Sequence, residues 1–127
     1  MPLIIRDAHY PGRAPIDTYG NGGFRFAGMS HRGSLLCLPS GIYGWTGPAG
    51  ATIDEASLEA AFAEAADIEV LLLGTGQTLM PLDPAVKARC RELKIVAESM
   101  STGAAVRTYN VLLAEGRAIA AALMAVS

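Results

Sequence analysis

Two short apolar runs, each ending in a loop of small polar residues and each followed by a helical pattern, constrain this chain more than any other feature. Residues 69–73 run into Gly74-Thr75-Gly76-Gln77, and residues 94–97 run into Glu98-Ser99-Met100-Ser101-Thr102-Gly103. Short continuous apolar runs bounded by such loops predict buried parallel strands, and a strand–helix–strand order predicts a βαβ unit. In open α/β sheets ligands collect beyond the carboxyl ends of the strands. The two loops are therefore expected side by side at one crevice.

The helices between and after these runs are marked at their starts. Asp83-Pro84 supplies an N-cap and a proline at the first helical position, with Val86, Cys90 and Leu93 as the apolar face. A further helix starts at Ser101 or Thr102 and stops near Gly116, with Ala105, Tyr109, Leu112 and Leu113 inward. Upstream, Thr52 and Glu55 read as a capping box. Leu58, Ala61, Phe62 and Ala65 then form one apolar stripe. Residues 117–126 combine alanines that favour helix with a position that favours a last strand; they are read as a strand.

The first half is glycine-punctuated and β-rich. Asn21-Gly22 between residues 16–20 and 23–27 is a strong hairpin signal, since both positions tolerate positive φ. Ser30-His31-Arg32-Gly33, Pro39-Ser40-Gly41 and Gly47-Pro48-Ala49-Gly50 read as further turns, flanking strands at 35–38 and 42–46. The expected fold is α+β or α/β: a single layered domain over residues 1–127, with an N-terminal antiparallel β-meander, a C-terminal βαβαβ-type half and helices packed on the sheet.

Composition narrows the function classes. The chain has 127 residues, a formal charge of −2 and 51% hydrophobic residues. No basic face suits nucleic acid, and no apolar stretch reaches the roughly 20 residues of a bilayer span. The first residues show no signal-peptide pattern, so the expected location is cytoplasmic. Cys37 and Cys90 read as buried thiols; Arg89 and Arg91 beside Cys90 keep a redox role open. His9 and His31 are expected in loops without ligand partners. No catalytic set, metal site or cofactor is expected, and the reading leans away from an enzyme. Tyr43 and Trp45 share a strand face that is either core or a partner's contact.

The candidate ligand crevice comprises Gly74, Thr75, Gly76, Gln77, Ser99, Ser101, Thr102, Gly103 and Arg107. A helix N-terminus presents unpaired amides and partial positive charge, which suits a small anion. Arg107 leans toward that end of its helix and could reach the cradle. The plainer alternatives are that Ser101 or Thr102 only caps the helix, that the glycines only permit a turn, and that Arg107 is solvated or pairs with Glu98. Glu98 is the carboxylate best placed for acid–base work.

The strings Glu98-Ser99-Met100-Ser101-Thr102-Gly103-Ala104-Ala105-Val106-Arg107-Thr108-Tyr109-Asn110-Val111-Leu112, Leu71-Leu72-Leu73-Gly74-Thr75-Gly76 and Asn21-Gly22-Gly23-Phe24-Arg25-Phe26 give nearly the whole chain a resemblance. It resembles a family of small uncharacterised α/β proteins that includes the mitochondrial NADH dehydrogenase (complex I) alpha-subcomplex assembly factor. The resemblance implies a layered fold and a protein-contact role in assembling complex I. It implies a respiratory-chain subunit or assembly protein as partner and a position peripheral to the inner membrane. It supplies no catalytic residues. Without a targeting extension the chain is expected to be a bacterial-type member.

Overall fold

The computed structural model describes residues 8–48 and 52–127. Its nine strands are β1 (Ala8–Tyr10), β2 (Ile16–Gly20), β3 (Gly23–Phe26), β4 (Met29–Arg32), β5 (Ser34–Leu38), β6 (Gly41–Trp45), β7 (Val70–Gly74), β8 (Val96–Met100) and β9 (Ile119–Leu123). Its helices are α1 (Glu59–Phe62), α2 (Pro84–Glu92) and α3 (Thr102–Ala114). Six strands form a mixed sheet in the order β1-β6-β5-β9-β7-β8, and β2-β3-β4 form a separate antiparallel sheet. The layered α/β domain expected from the sequence is thus present, but its meander is divided between two sheets.

The βαβαβ half explains the layering. β7 pairs in parallel with β8 on one side and β9 on the other. Right-handed crossovers that leave β7 for β8, and then β8 for β9, run in opposite directions and so place their helices on opposite faces. The core follows suit. Leu72, Ile119, Ala121 and Leu123 pack with Tyr109 and Val106 of α3, and with Ile16, Phe24 and Phe26 of the small sheet. Leu71, Leu73, Ala120 and Ala122 pack with Val86 and Cys90 of α2 and with Leu58 and Phe62. The molecule has three layers: α3 with the small sheet, the large sheet, and α1 with α2.

Several local expectations are corrected. β8 begins at Val96 and continues through Glu98, Ser99 and Met100, so those residues are strand and not loop. Val96 and Glu98 are exposed, so strand structure there rests on pairing with β7 and not on a continuous apolar run. Residues 30–32 lie in β4, and the turn before it is Ala27-Gly28, with φ of 49° and 76°. His31 and His9 accordingly belong to strands, not loops. The capping box does not form. Asp54 takes that role, accepting from the Ser57 amide at 3.0 Å, while Glu55 pairs with Arg89 of α2 at 3.0 Å. The apolar stripe at 58–65 is split between α1 and short 3-10 turns. β1 has no counterpart among the expected strands. Of the expected turn at 47–50, Ala49 and Gly50 lie outside the described residues.

Other expectations match. Asn21 and Gly22 both have positive φ, as the hairpin signal requires. Asp83 caps α2, Ser101 caps α3, and residues 119–123 are a strand. Helix α3 ends in a Schellman motif: the Arg117 amide donates to Leu112 and the Gly116 amide to Leu113, with Gly116 at φ 77°. Among the described residues no helix is long and apolar enough to cross a membrane.

Candidate functional site

Parallel pairing of Gly74 with Met100 brings the two junction loops into contact. The ladder continues past the strand ends: the Thr75 amide donates to Met100 at 2.9 Å, and the Thr102 amide to Gly76 at 2.9 Å. Thr102 is 0% exposed. Its hydroxyl accepts from the Gly76 amide at 3.0 Å and donates to the Met124 carbonyl at 2.7 Å. The Met124 amide in turn donates to Gly74 at 2.9 Å. One threonine thus joins the ends of three parallel strands, and the Gly76 and Thr102 amides face the fold instead of solvent.

The neighbouring residues are committed in similar ways. A Cβ on Gly74 would meet Leu123 Cδ2 at 3.0 Å and Thr102 Cα at 3.1 Å, so glycine there permits the close approach. Thr75 Oγ1 lies 2.7 Å from the Thr78 carbonyl and accepts from the Met80 amide at 3.0 Å, which ties down the loop before α2. Ser101 accepts from the Ala104 amide at 3.3 Å, an N-cap bond. A Cβ on Gly103 would fall 2.3 Å from Tyr19 Oη, so glycine at 103 makes room for a ring arriving from β2.

What remains open is a hollow of about 140 Å³ lined by Gln77, Ser101, Gly103, Arg107, Tyr19 and their neighbours. It adjoins a shallower one of about 620 Å³ between β2 and α3, to which Asp17 and Asn110 contribute. Arg107 is exposed and has no ion pair among the described residues. The structure therefore brings Gln77, Ser101, Gly103 and Arg107 to one hollow, with Gly76 at its edge. Gly74, Thr75 and Thr102 sit behind it as bracing. Ser99 points away: it pairs with Leu73, which packs on the α2 side of the sheet. Its Oγ is buried with no partner among the described residues.

Titratable groups elsewhere offer little reactivity. Burial pushes the Cys37 thiol up to about 12, partly offset by its hydrogen bond with Tyr109. Burial also raises Cys90, against the opposing pull of Arg89. Neither is a ready thiolate nucleophile. His31 Nε2, on β4, lies 3.0 Å from the Ser34 carbonyl. Trp45 is half-buried and donates to the Ser57 carbonyl at 2.8 Å, which places it mainly in the core. The residues that sequence reasoning missed are Tyr19 and Asn110. Asn110 clamps β2 by accepting from the Ile16 amide and donating to its carbonyl, both at 2.8 Å. The available signal was an amide side chain set between the core residues Tyr109 and Leu112–Leu113 of the helix.

The chain is 41% identical over 122 residues to an uncharacterized protein of Rhodobacter capsulatus, covering 96% of this chain and 93% of that protein. It is 31% identical over 122 residues to NADH dehydrogenase (ubiquinone) 1 alpha subcomplex assembly factor 3 of Mus musculus, covering 96% of this chain and 66% of that protein. Its fold is similar to a crystal structure described as an outer membrane protein from Bartonella henselae. The TM-score is 0.89 and the identity 55%, over 94% of this chain and 100% of that one. The family described as "Protein of unknown function (DUF498/DUF598)" matches residues 16–124, and the chain belongs to it.

Proposed function

We propose that this chain works by binding another protein, as a docking domain of the assembly-factor type, and not by chemistry of its own. The observation that carries this reading is the likeness to the mouse assembly factor, which extends over 96% of the chain and so involves the whole domain instead of one motif. The junction supports it. A site built to hold substrate leaves donors unpaired until the ligand arrives, whereas Gly76 and Thr102 bond to each other and to Met124. On this reading the partner is a respiratory-chain subunit or a fellow assembly protein, met at the surface of the inner membrane. The test is affinity capture of the tagged full chain from mildly solubilised membranes of its source organism. Enrichment of NADH dehydrogenase subunits over an untagged control is the expected result. Recovery of none, together with normal complex assembly in a deletion strain, would overturn the proposal.

A second reading rests on Arg107, whose exposed guanidinium has no ion pair among the described residues and shares a hollow with Ser101, Gly103 and Gln77. There a small anion would sit against the first turn of α3. Phosphate or citrate should then raise the melting temperature of the protein but not of Arg107→Ala. Equal shifts in both proteins would exclude this site.

A further inference from the structure

The outer face of the small sheet carries a feature that the junction does not use. β2, β3 and β4 bury Ile16, Phe24 and Phe26 on one side. On the other, Thr18, Arg25 and Ser30 share one cross-strand row, and Gly20, Gly23 and Arg32 share the next row of the same face. Gly20 contributes no side chain and has open space where a Cβ would stand, whereas a Cβ on Gly23 would meet the His31 carbonyl of β4, so main chain of β2–β4 lies exposed beside the arginines. The hollow measures about 530 Å³, and no Asp or Glu lines it. Arg25 and Arg32 are exposed and have no ion pair among the described residues.

This cationic face stands out on a chain of net charge −2. Half of the 12 acidic residues fall between Asp54 and Glu69, in and around α1, which packs on the far side of the large sheet. Asp17 is the nearby exception, and it lines the neighbouring hollow with Arg107. The face is also held rigidly. The Gly22 amide donates to Val126 at 2.8 Å and the Gly33 amide to Gly22 at 2.7 Å, while Asn110 fixes Ile16. A preordered surface leaves only the partner's ordering cost to be met on binding.

We propose that this face docks an extended acidic segment of a partner protein, one with Asp or Glu at alternate positions. The proposal rests on the docking-domain reading above and names its surface. Arg25 on β3 and Arg32 on β4 are diagonal neighbours in rows two residues apart, about 7–8 Å between their Cβ atoms, close to the roughly 7 Å at which alternate side chains of an extended segment recur. A single phosphate offers one charge centre to the pair, whereas such a segment offers a carboxylate to each arginine. Overall negative charge and only two arginines on the face argue against nucleic acid.

The test is amide NMR on the labelled full chain, titrated with a short peptide carrying Glu at alternate positions. Its Gln counterpart, inorganic phosphate and vesicles containing an anionic lipid serve as comparison probes at fixed ionic strength. The Glu peptide should shift the amides of residues 20–25 and 30–32. Its affinity should fall about tenfold or more in Arg25→Gln/Arg32→Gln, with Arg32→Gln alone as the fallback if the double variant melts early. Equal binding of the Gln peptide, unchanged binding by the variants, or shifts only with phosphate or vesicles would each overturn the proposal. Affinity capture separates the two levels. A partner retained by both the unaltered protein and the double variant would sink this surface while the docking-domain reading stands; capture of none by the unaltered protein, with normal complex assembly in the deletion strain, would sink that reading.

Discussion

Thr102 shows how one side chain can carry a junction. Its hydroxyl links the Gly76 amide to the Met124 carbonyl, and it is fully buried. Thr102→Val keeps the shape and removes both bonds, leaving a donor and an acceptor unpaired. That should cost about 2 kcal/mol, read as a lower urea midpoint, and Thr102→Ser should recover part of it. The sequence made the helix start legible, because Ser and Thr before an alanine-rich run are cap residues. It could not reveal what else the threonine bonds, since Gly76 and Met124 lie 26 and 22 residues away. The same holds for Gly103. It reads as a cradle glycine until Tyr19, from a distant hairpin, is found against it.

At the scale of elements, legibility tracked the kind of signal. Caps and tight turns are local, so Asp83, Ser101, Asn21-Gly22 and Gly116 were readable. Gly116→Ala should cost about 1 kcal/mol, because a Cβ is disfavoured at φ 77°; thermal melts would check it. Among the strands of the second half, apolar patterning was clearest in the buried β7 and faded along β8. It stopped at Ala97, whereas the pairing of β8 with β7 continues to Met100, since an edge strand tolerates Glu98 and Ser99. It missed β4 because Ser30, His31 and Arg32 present polar side chains on a two-sided ribbon. The clamp between α3 and β2 was invisible for a different reason: Asn110 and Ile16 are 94 residues apart. Asn110→Ala should loosen the small sheet, with hydrogen exchange of β2 and β3 amides accelerating before that of β7.

At the scale of the molecule, the buried Cys37 and Tyr109 make stability pH-dependent in the alkaline range. Burial holds the Cys37 thiol protonated up to about 12, against an ordinary value of 9.0. The folded state therefore binds more protons than the unfolded chain between those limits. Stability from this source is complete below pH 9 and falls by about 1.4 kcal/mol per pH unit as pH rises toward 12. Tyr109, also raised by burial, adds a similar loss at higher pH. Urea midpoints measured from pH 8 to 11 should fall steeply for the unaltered protein and less steeply for Cys37→Ala.

The placement of β9 has a consequence for how the chain comes together. It is the last strand in order, yet it lies between β5 and β7, pairing antiparallel with one and parallel with the other. Until it is synthesised, the large sheet exists as two fragments with open inner edges, each a template for unwanted pairing. Its run of Ala120, Ala121 and Ala122 is completely buried, so it enters a slot too narrow for larger side chains. Joining the two fragments therefore waits for β9, the strand whose pairing closes both edges.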